Sequence, residues 1–168
     1  MESSLTHNIL GICKTLNKFS VEYLIVGGTA VALHGYYRHS MNDAGEIAEK
    51  PDLDFWYNST YDNYFKLLNA LEDMGQDVKK FKDEQTPDPK RSFFRYEFEN
   101  FTLDLLPELK KPLKFRSAFD KRELVTVDGT EISFLSYEDL IADKKANARQ
   151  KDISDIENLD SNRKKNEE

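Results

Sequence analysis

Cysteine is nearly absent: Cys13 is the only one in 168 residues. An internal disulfide framework is therefore excluded, and a reducing cytoplasm is the expected setting. Long apolar runs are missing too, and nothing approaches the roughly 20 residues needed to cross a bilayer. Met1-Glu2-Ser3-Ser4 holds no basic region followed by an apolar stretch, so no signal peptide is expected. Positive charge is in deficit, with 24 Lys and Arg against 31 Asp and Glu and a formal net charge of −7. That balance argues against broad non-specific binding to nucleic acid, which needs a basic surface, but leaves room for a local basic patch. Histidine is scarce as well. His34 and His39 have no metal-ligand partners at useful spacing, and His34 reads as a satisfied residue at a helix end.

What is present fits one domain. Hydrophobic residues make up 39% and charged residues 33%, which allows a core beneath a heavily charged surface. Eleven Phe, eight Tyr and one Trp supply much of its bulk. The domain is expected over residues 1–160, with a disordered polar tail over 161–168.

Leu5, Ile9, Ile12, Cys13, Leu16 and Phe19 form one apolar stripe at helical spacing, which predicts an amphipathic helix over about 4–18. Cys13 lies on that stripe and reads as a buried small hydrophobe. Tyr23 to Val26 reads as a short buried strand, and Gly27 to Gly35 as a turn with its helix. Tyr36 to Pro51 is a polar loop. Asp52 to Tyr57 alternates as a strand, and Tyr64, Leu67, Leu68, Leu71 and Met74 mark a further helix, capped by Ser59 or Thr60 and ended by Gly75. A short strand is expected near Val78 to Phe81, then a charged, mobile loop from Lys82 to Arg91. Phe93–Phe98 and Phe101–Leu106 read as a hairpin turned at Glu99-Asn100. Lys110 to Arg122 is the most basic part of the chain, either a solvated face or a landing strip for a polyanionic acceptor. A second hairpin turns at Asp128-Gly129. Ser136-Tyr137-Glu138-Asp139 looks like a capping box that opens the last helix. This order predicts an α+β domain whose mixed sheet has helices packed mainly on one face.

Two features between Tyr23 and Tyr57 are hard to explain as packing alone. Gly27 and Gly28 stand where a strand turns into a helix. Glycine there permits a tight turn and close approach of another group, and the helix that follows presents free N–H groups that suit a phosphate. Asp52 and Asp54 then share one face of the next strand, since side chains alternate. Carboxylates held so repel unless a cation or proton lies between them, and Mg²⁺ takes one or two carboxylates plus phosphate and water oxygens. A phosphate cradle beside an acidic pair reads as a site for a nucleoside triphosphate and its metal. Asp104 is a third acid that a neighbouring antiparallel strand would bring beside the pair.

These motifs, in this order, resemble the nucleotidyltransferase superfamily, the fold of DNA polymerase β and of the minimal antibiotic- and toxin-type transferases. The resemblance runs from about Val21 to Leu159. It rests on Gly27-Gly28, Asp52-Leu53-Asp54 and Asp104, and on Lys144…Arg149-Gln150-Lys151-Asp152, which looks like the closing helix of an AbiEii-like bacterial branch. The family pairs an Arg with a small hydroxyl residue shortly before the acids. Arg38 and Ser40 are the candidates, although Asn42 to Lys50 reads as an insertion, and Thr29 stands where Ser is usual.

The resemblance implies an Mg²⁺-dependent (or Mn²⁺-dependent) nucleotidyltransferase. Asp52, Asp54 and Asp104 are its metal ligands. Gly27, Gly28, Thr29, Arg38 and Ser40 bind the nucleotide, and Lys144 stabilises charge on the leaving group. Lys144 and Arg149 equally suit surface pairs with Asp139, Asp152 or Asp155. Substrates would be an NTP and an unknown hydroxyl acceptor: RNA, protein or a small molecule. The alternative is a nucleotide- or partner-binding module without chemistry, such as a toxin–antitoxin component. A metal-dependent phosphohydrolase using the same acids ranks third.

Overall fold

The computed structural model describes residues 2–35, 50–110, 113–147, 156, 157 and 159. The chain begins with helix α1 (Glu2–Lys18) and strand β1 (Tyr23–Val26), then α2 (Gly27–Leu33) and β2 (Asp52–Tyr57). Helices α3 (Tyr61–Asp73) and α4 (Lys79–Lys82) and a 3-10 turn (Pro89–Arg91) lead to β3 (Phe94–Glu97) and β4 (Thr102–Leu106). Helix α5 (Phe115–Asp120), the pair β5 (Glu123–Val127) and β6 (Thr130–Phe134), and α6 (Tyr137–Asn147) complete it. Among the described residues the strands form one mixed six-stranded sheet in the order β3-β4-β2-β1-β6-β5.

The alternation in β2 decides which face is covered. Leu53, Phe55 and Tyr57 point to one side with Tyr23, whose ring lies 5.6 Å from Phe55. Phe94 joins them, its ring 6.3 Å from Tyr57 and 6.2 Å from Tyr64 of α3. Helices α1 and α3 cover this side through Ile9, Ile12, Cys13, Leu16, Tyr64, Leu67, Leu68 and Leu71, all buried. Burial pushes the Cys13 thiol up to about 12, as expected of a small hydrophobe on an apolar stripe. On the opposite face Trp56 meets Phe115 of α5 edge-on at 5.1 Å, and the rest of that face carries the acids. The expected mixed sheet with helices mainly on one side is what the chain forms.

Side-chain hydrogen bonds fix the connections. Buried Asn63 accepts from the Glu22 N–H at 2.7 Å and donates to the carbonyls of Glu22 and Asn58 at 3.0 and 2.8 Å. It latches the entry of β1 to the exit of β2. Thr60 caps α3 by accepting from the Asn63 N–H at 3.2 Å. Asp128 and Gly129 take φ of +49° and +78°, which closes the β5–β6 hairpin as the Asp-Gly pair predicts. Ser136 accepts from the Asp139 N–H at 3.3 Å at the start of α6.

Two expectations need correction. The stretch near Val78–Phe81 is a helical turn, Lys79–Lys82, because it carries three lysines where a strand would need an inner face. The loop from Lys82 to Arg91 is anchored: Pro89 is buried, and the Tyr57 hydroxyl reaches the carbonyls of Pro89 and Ser92. In the described part of the basic stretch the pairs lie at the surface, as a solvated face allows. Arg116 pairs with Glu22 at 2.8 Å, Lys121 with Asp139 at 3.2 Å, and Arg122 lies over the Phe119 ring at 3.9 Å. No helix among the described residues is long and apolar enough to cross a membrane.

Candidate functional site

The site is built from strand register. Strand β4 lies beside β2 and runs parallel to it, not antiparallel, with Asp54 opposite Asp104. Strand β3 pairs antiparallel with β4 and places Arg95 opposite Asp104. On the other side Asp54 faces Val26, the residue before Gly27. One row across four strands thus reads Arg95, Asp104, Asp54, Val26. The parallel arrangement still brings the two acids together, because in-register partners of neighbouring strands share a face.

Asp54 and Asp104 are close enough to hydrogen-bond to each other. Asp54 opens onto the cleft described below, but protein surrounds it otherwise. Burial, and then the charges of Asp104 and Asp52, push its carboxyl up to about 7 from 3.8, against the opposing pull of Lys144. Burial likewise raises Asp104, opposed by the guanidinium of Arg95. Asp104 is only 8% exposed, and its Oδ1 has no hydrogen-bond partner. Arg95 Nε stands 3.1 Å from that oxygen, an ion pair by distance without the alignment of a hydrogen bond. The same guanidinium is 3.7 Å from Asp52 Oδ1. Among the described residues no three His, Cys, Asp or Glu side chains form a ready-made group for one metal ion.

Gly27 explains the glycine motif. Its φ is +65°, and a Cβ there would lie 2.5 Å from Asp54 Oδ2. Any other residue would collide with the carboxylate and strain the backbone. The turn after β1 is therefore shaped around Asp54. Val26, Gly27 and Asp54 line one side of a cleft of about 240 Å³. Leu106, Glu108, Leu109 and Lys110 form the opposite wall, and Asp143 and Lys144 of α6 are its third side. The wall is held at its base by Trp56, whose Nε1 donates to the Pro107 carbonyl at 3.3 Å.

Lys144 is 2% exposed, which is rare for a lysine unless it is paired. Its charge acts on Asp54, so α6 points a buried cation at the acids. Thr29 is buried within α2, and Gly28 is half-buried beside it. His34 ends α2, its Nε2 3.0 Å from the Leu135 carbonyl and its ring edge-on to Phe134 at 5.1 Å. Arg38 and Ser40 lie outside the described residues, as does Arg149.

Arg95, Asp143 and the Leu106–Lys110 wall do not stand out in the sequence. Arg95 had one available signal: a hairpin turned at Glu99-Asn100 puts it across from Asp104. The wall segment 107–109 had none, since it is ordinary coil until β4 is placed beside β2.

The donor set suits a hard divalent cation. It offers carboxylate oxygens only, one of them buried without a hydrogen-bond partner, and acids whose mutual repulsion a cation would relieve. No family model matches the chain. No curated protein matches it either. Among solved structures, a proposed nucleotidyltransferase from Thermotoga maritima matches with a TM-score of 0.55 and 14% identity, over 100% of this chain and 96% of that one. An antigenic nucleotidyltransferase-like protein from Paracoccidioides brasiliensis matches with a TM-score of 0.48 and 16% identity, over 92% of this chain and 74% of that one. The fold is nucleotidyltransferase-like.

Proposed function

We propose that the chain is an Mg²⁺-dependent nucleotidyltransferase that moves a nucleoside monophosphate from an NTP to a hydroxyl acceptor. The observation that carries this reading is the meeting of Asp54 and Asp104 on parallel neighbouring strands, with the Gly27 turn pressed against Asp54. A purely structural acid pair would need neither the glycine nor an open cleft beside it.

Asp54 and Asp104, with Asp52, would hold the metal; bound there, it would orient the triphosphate and neutralise its charge. The acceptor oxygen bonds to the α-phosphorus, the bond to the β-phosphate oxygen breaks, and pyrophosphate leaves. Asp104 takes the proton of the acceptor hydroxyl. Lys144, buried at the cleft, stabilises charge on the departing pyrophosphate. The Gly27 and Gly28 backbone, with Thr29, contacts the β- and γ-phosphates, and Arg38 and Ser40 remain candidates for the same task. The acceptor would be RNA, a protein or a small molecule.

A second reading is a nucleotide- or partner-binding module without turnover. The ion pair of Arg95 with Asp104 favours it, together with the lack of a preformed three-ligand group among the described residues. One experiment separates the two. Each α-labelled NTP is incubated with Mg²⁺ and with protein, total tRNA or aminoglycosides as acceptors. Label transferred by the wild type and lost in Asp54→Asn supports the transferase. Mg²⁺-dependent NTP binding without transfer favours the module. Neither result would leave the acids and the glycine as scaffold.

A further inference from the structure

We infer that Arg95 is a positioning residue, a built-in counter-cation that holds Asp52 and Asp104 toward one another and must give way when a divalent ion enters. The inference rests on the metal site of the proposed function but not on group transfer.

Three observations carry it. One guanidinium reaches acids of two different strands, 3.1 Å from Asp104 Oδ1 and 3.7 Å from Asp52 Oδ1. The contact at Asp104 falls on an oxygen that lacks a hydrogen-bond partner, so the pair is held by charge and is free to exchange. Arg95 also sits on β3, the outermost strand, and its side chain is 53% exposed. It can swing into solvent without unfolding anything.

The contrast with Lys144 sharpens the point. Lys144, on α6, lines the cleft and is only 2% exposed, whereas Arg95 is half-exposed. Among the described residues, the acids therefore have a buried cation on the α6 side and a half-exposed one on the β3 side. Positive charge close to a metal site opposes a second cation, and a guanidinium bound to a ligand oxygen competes for it directly. Both effects weaken metal binding, and both disappear when Arg95 is neutralised.

The test measures Mn²⁺ binding to the full chain by electron paramagnetic resonance of the free ion. Wild type, Arg95→Gln, Arg95→Lys and Asp54→Asn are compared, with circular dichroism to confirm folding. Arg95→Gln should bind Mn²⁺ roughly three- to tenfold more tightly, the scale of a half-exposed ion pair. Arg95→Lys should fall between it and wild type, because it keeps the charge but loses the planar fork. Asp54→Asn should lose the site. Equal or weaker binding by Arg95→Gln overturns the inference. So does Mn²⁺ binding that survives Asp54→Asn, or no binding by either Arg95→Gln or wild type. If Arg95→Gln does not fold, Arg95→Lys decides alone, and wild-type affinity in that variant overturns it. Tighter Mn²⁺ binding without nucleotide transfer would sustain the role of Arg95 and remove the transferase reading.

Discussion

Asp54→Asn should make the protein more stable at pH 8 while removing the metal site. Asp54 titrates near 3.8 when unfolded and near 7 when folded, raised by burial and by the neighbouring acids. Between those values the folded chain binds the extra proton, so wild-type stability falls as pH rises from about 4 to about 7 and then levels off. At about 1.36 kcal/mol per pH unit the gap sets a ceiling of roughly 4 kcal/mol. Asp54 opens onto the cleft, and solvent there reduces the cost of ionising it, so about 2 kcal/mol is the expected gain for Asn. Asn keeps a donor for Asp104 and is nearly the same size, so little else changes. Urea unfolding at pH 5 and pH 8, fitted with a shared slope, measures the difference. The variant should lack most of the wild-type loss between the two pH values. The reasoning fails if Asp54→Asn is no more stable than wild type at pH 8, or if wild-type stability rises between pH 5 and 7.

Two further substitutions probe the elements that position the acids. Gly27→Ala puts a Cβ 2.5 Å from Asp54 Oδ2 at a φ of +65°, while Gly75→Ala carries backbone strain, at +93° with nothing within 4 Å of its Cβ among the described residues. Both should lose about 1 kcal/mol to backbone strain, and Gly27→Ala a further 1–2 kcal/mol from the collision; equal losses in urea unfolding would show that Asp54 yields freely. Asn63→Ala leaves the Glu22 N–H and the carbonyls of Glu22 and Asn58 without their partner, which should cost roughly 2–4 kcal/mol. Asn63→Asp keeps the acceptor and should lose less, and a change below about 0.5 kcal/mol in Asn63→Ala would mean the latch is not structural.

The local signals and the long-range ones were legible to different degrees. Alternation in Asp52–Tyr57 gave the faces of β2 correctly, because a strand has only two sides. The Glu99-Asn100 and Asp128-Gly129 turns gave both hairpins, because a turn joins neighbours in the chain. The stripe from Leu5 to Phe19 gave α1 and the inert place of Cys13. What local pattern could not supply was the direction of β4 against β2. The 44 or so residues between them fit either orientation, and only the helices of the crossover, α3 and α4, make the parallel choice. The strand expected near Val78 failed for a related reason: four residues are too few for either periodicity to decide, and three lysines favour a solvated turn. Asp104 was still found beside Asp54, since register brings in-line side chains to one face in either orientation.

The glycine at position 27 shows how a contact stays hidden in the sequence until two strands pair. A glycine pair after a strand allows many explanations, from a tight turn to a phosphate contact. The fold adds another, room for a neighbouring carboxylate, because Gly27 and Asp54 touch only after β1 and β2 pair. The same pairing leaves Val26 in line with Asp54, Asp104 and Arg95. Four strands therefore fix the row, and the turn and α6 add the space and the buried cation beside it. The acids sit on the face that α1 and α3 leave uncovered, so the bulk of the core bears on the site only through the register it imposes. Changes in that core should alter stability well before they alter the spacing of Asp54 and Asp104, whereas a shift of β4 by one residue would turn Asp104 to the opposite face and dissolve the site at once.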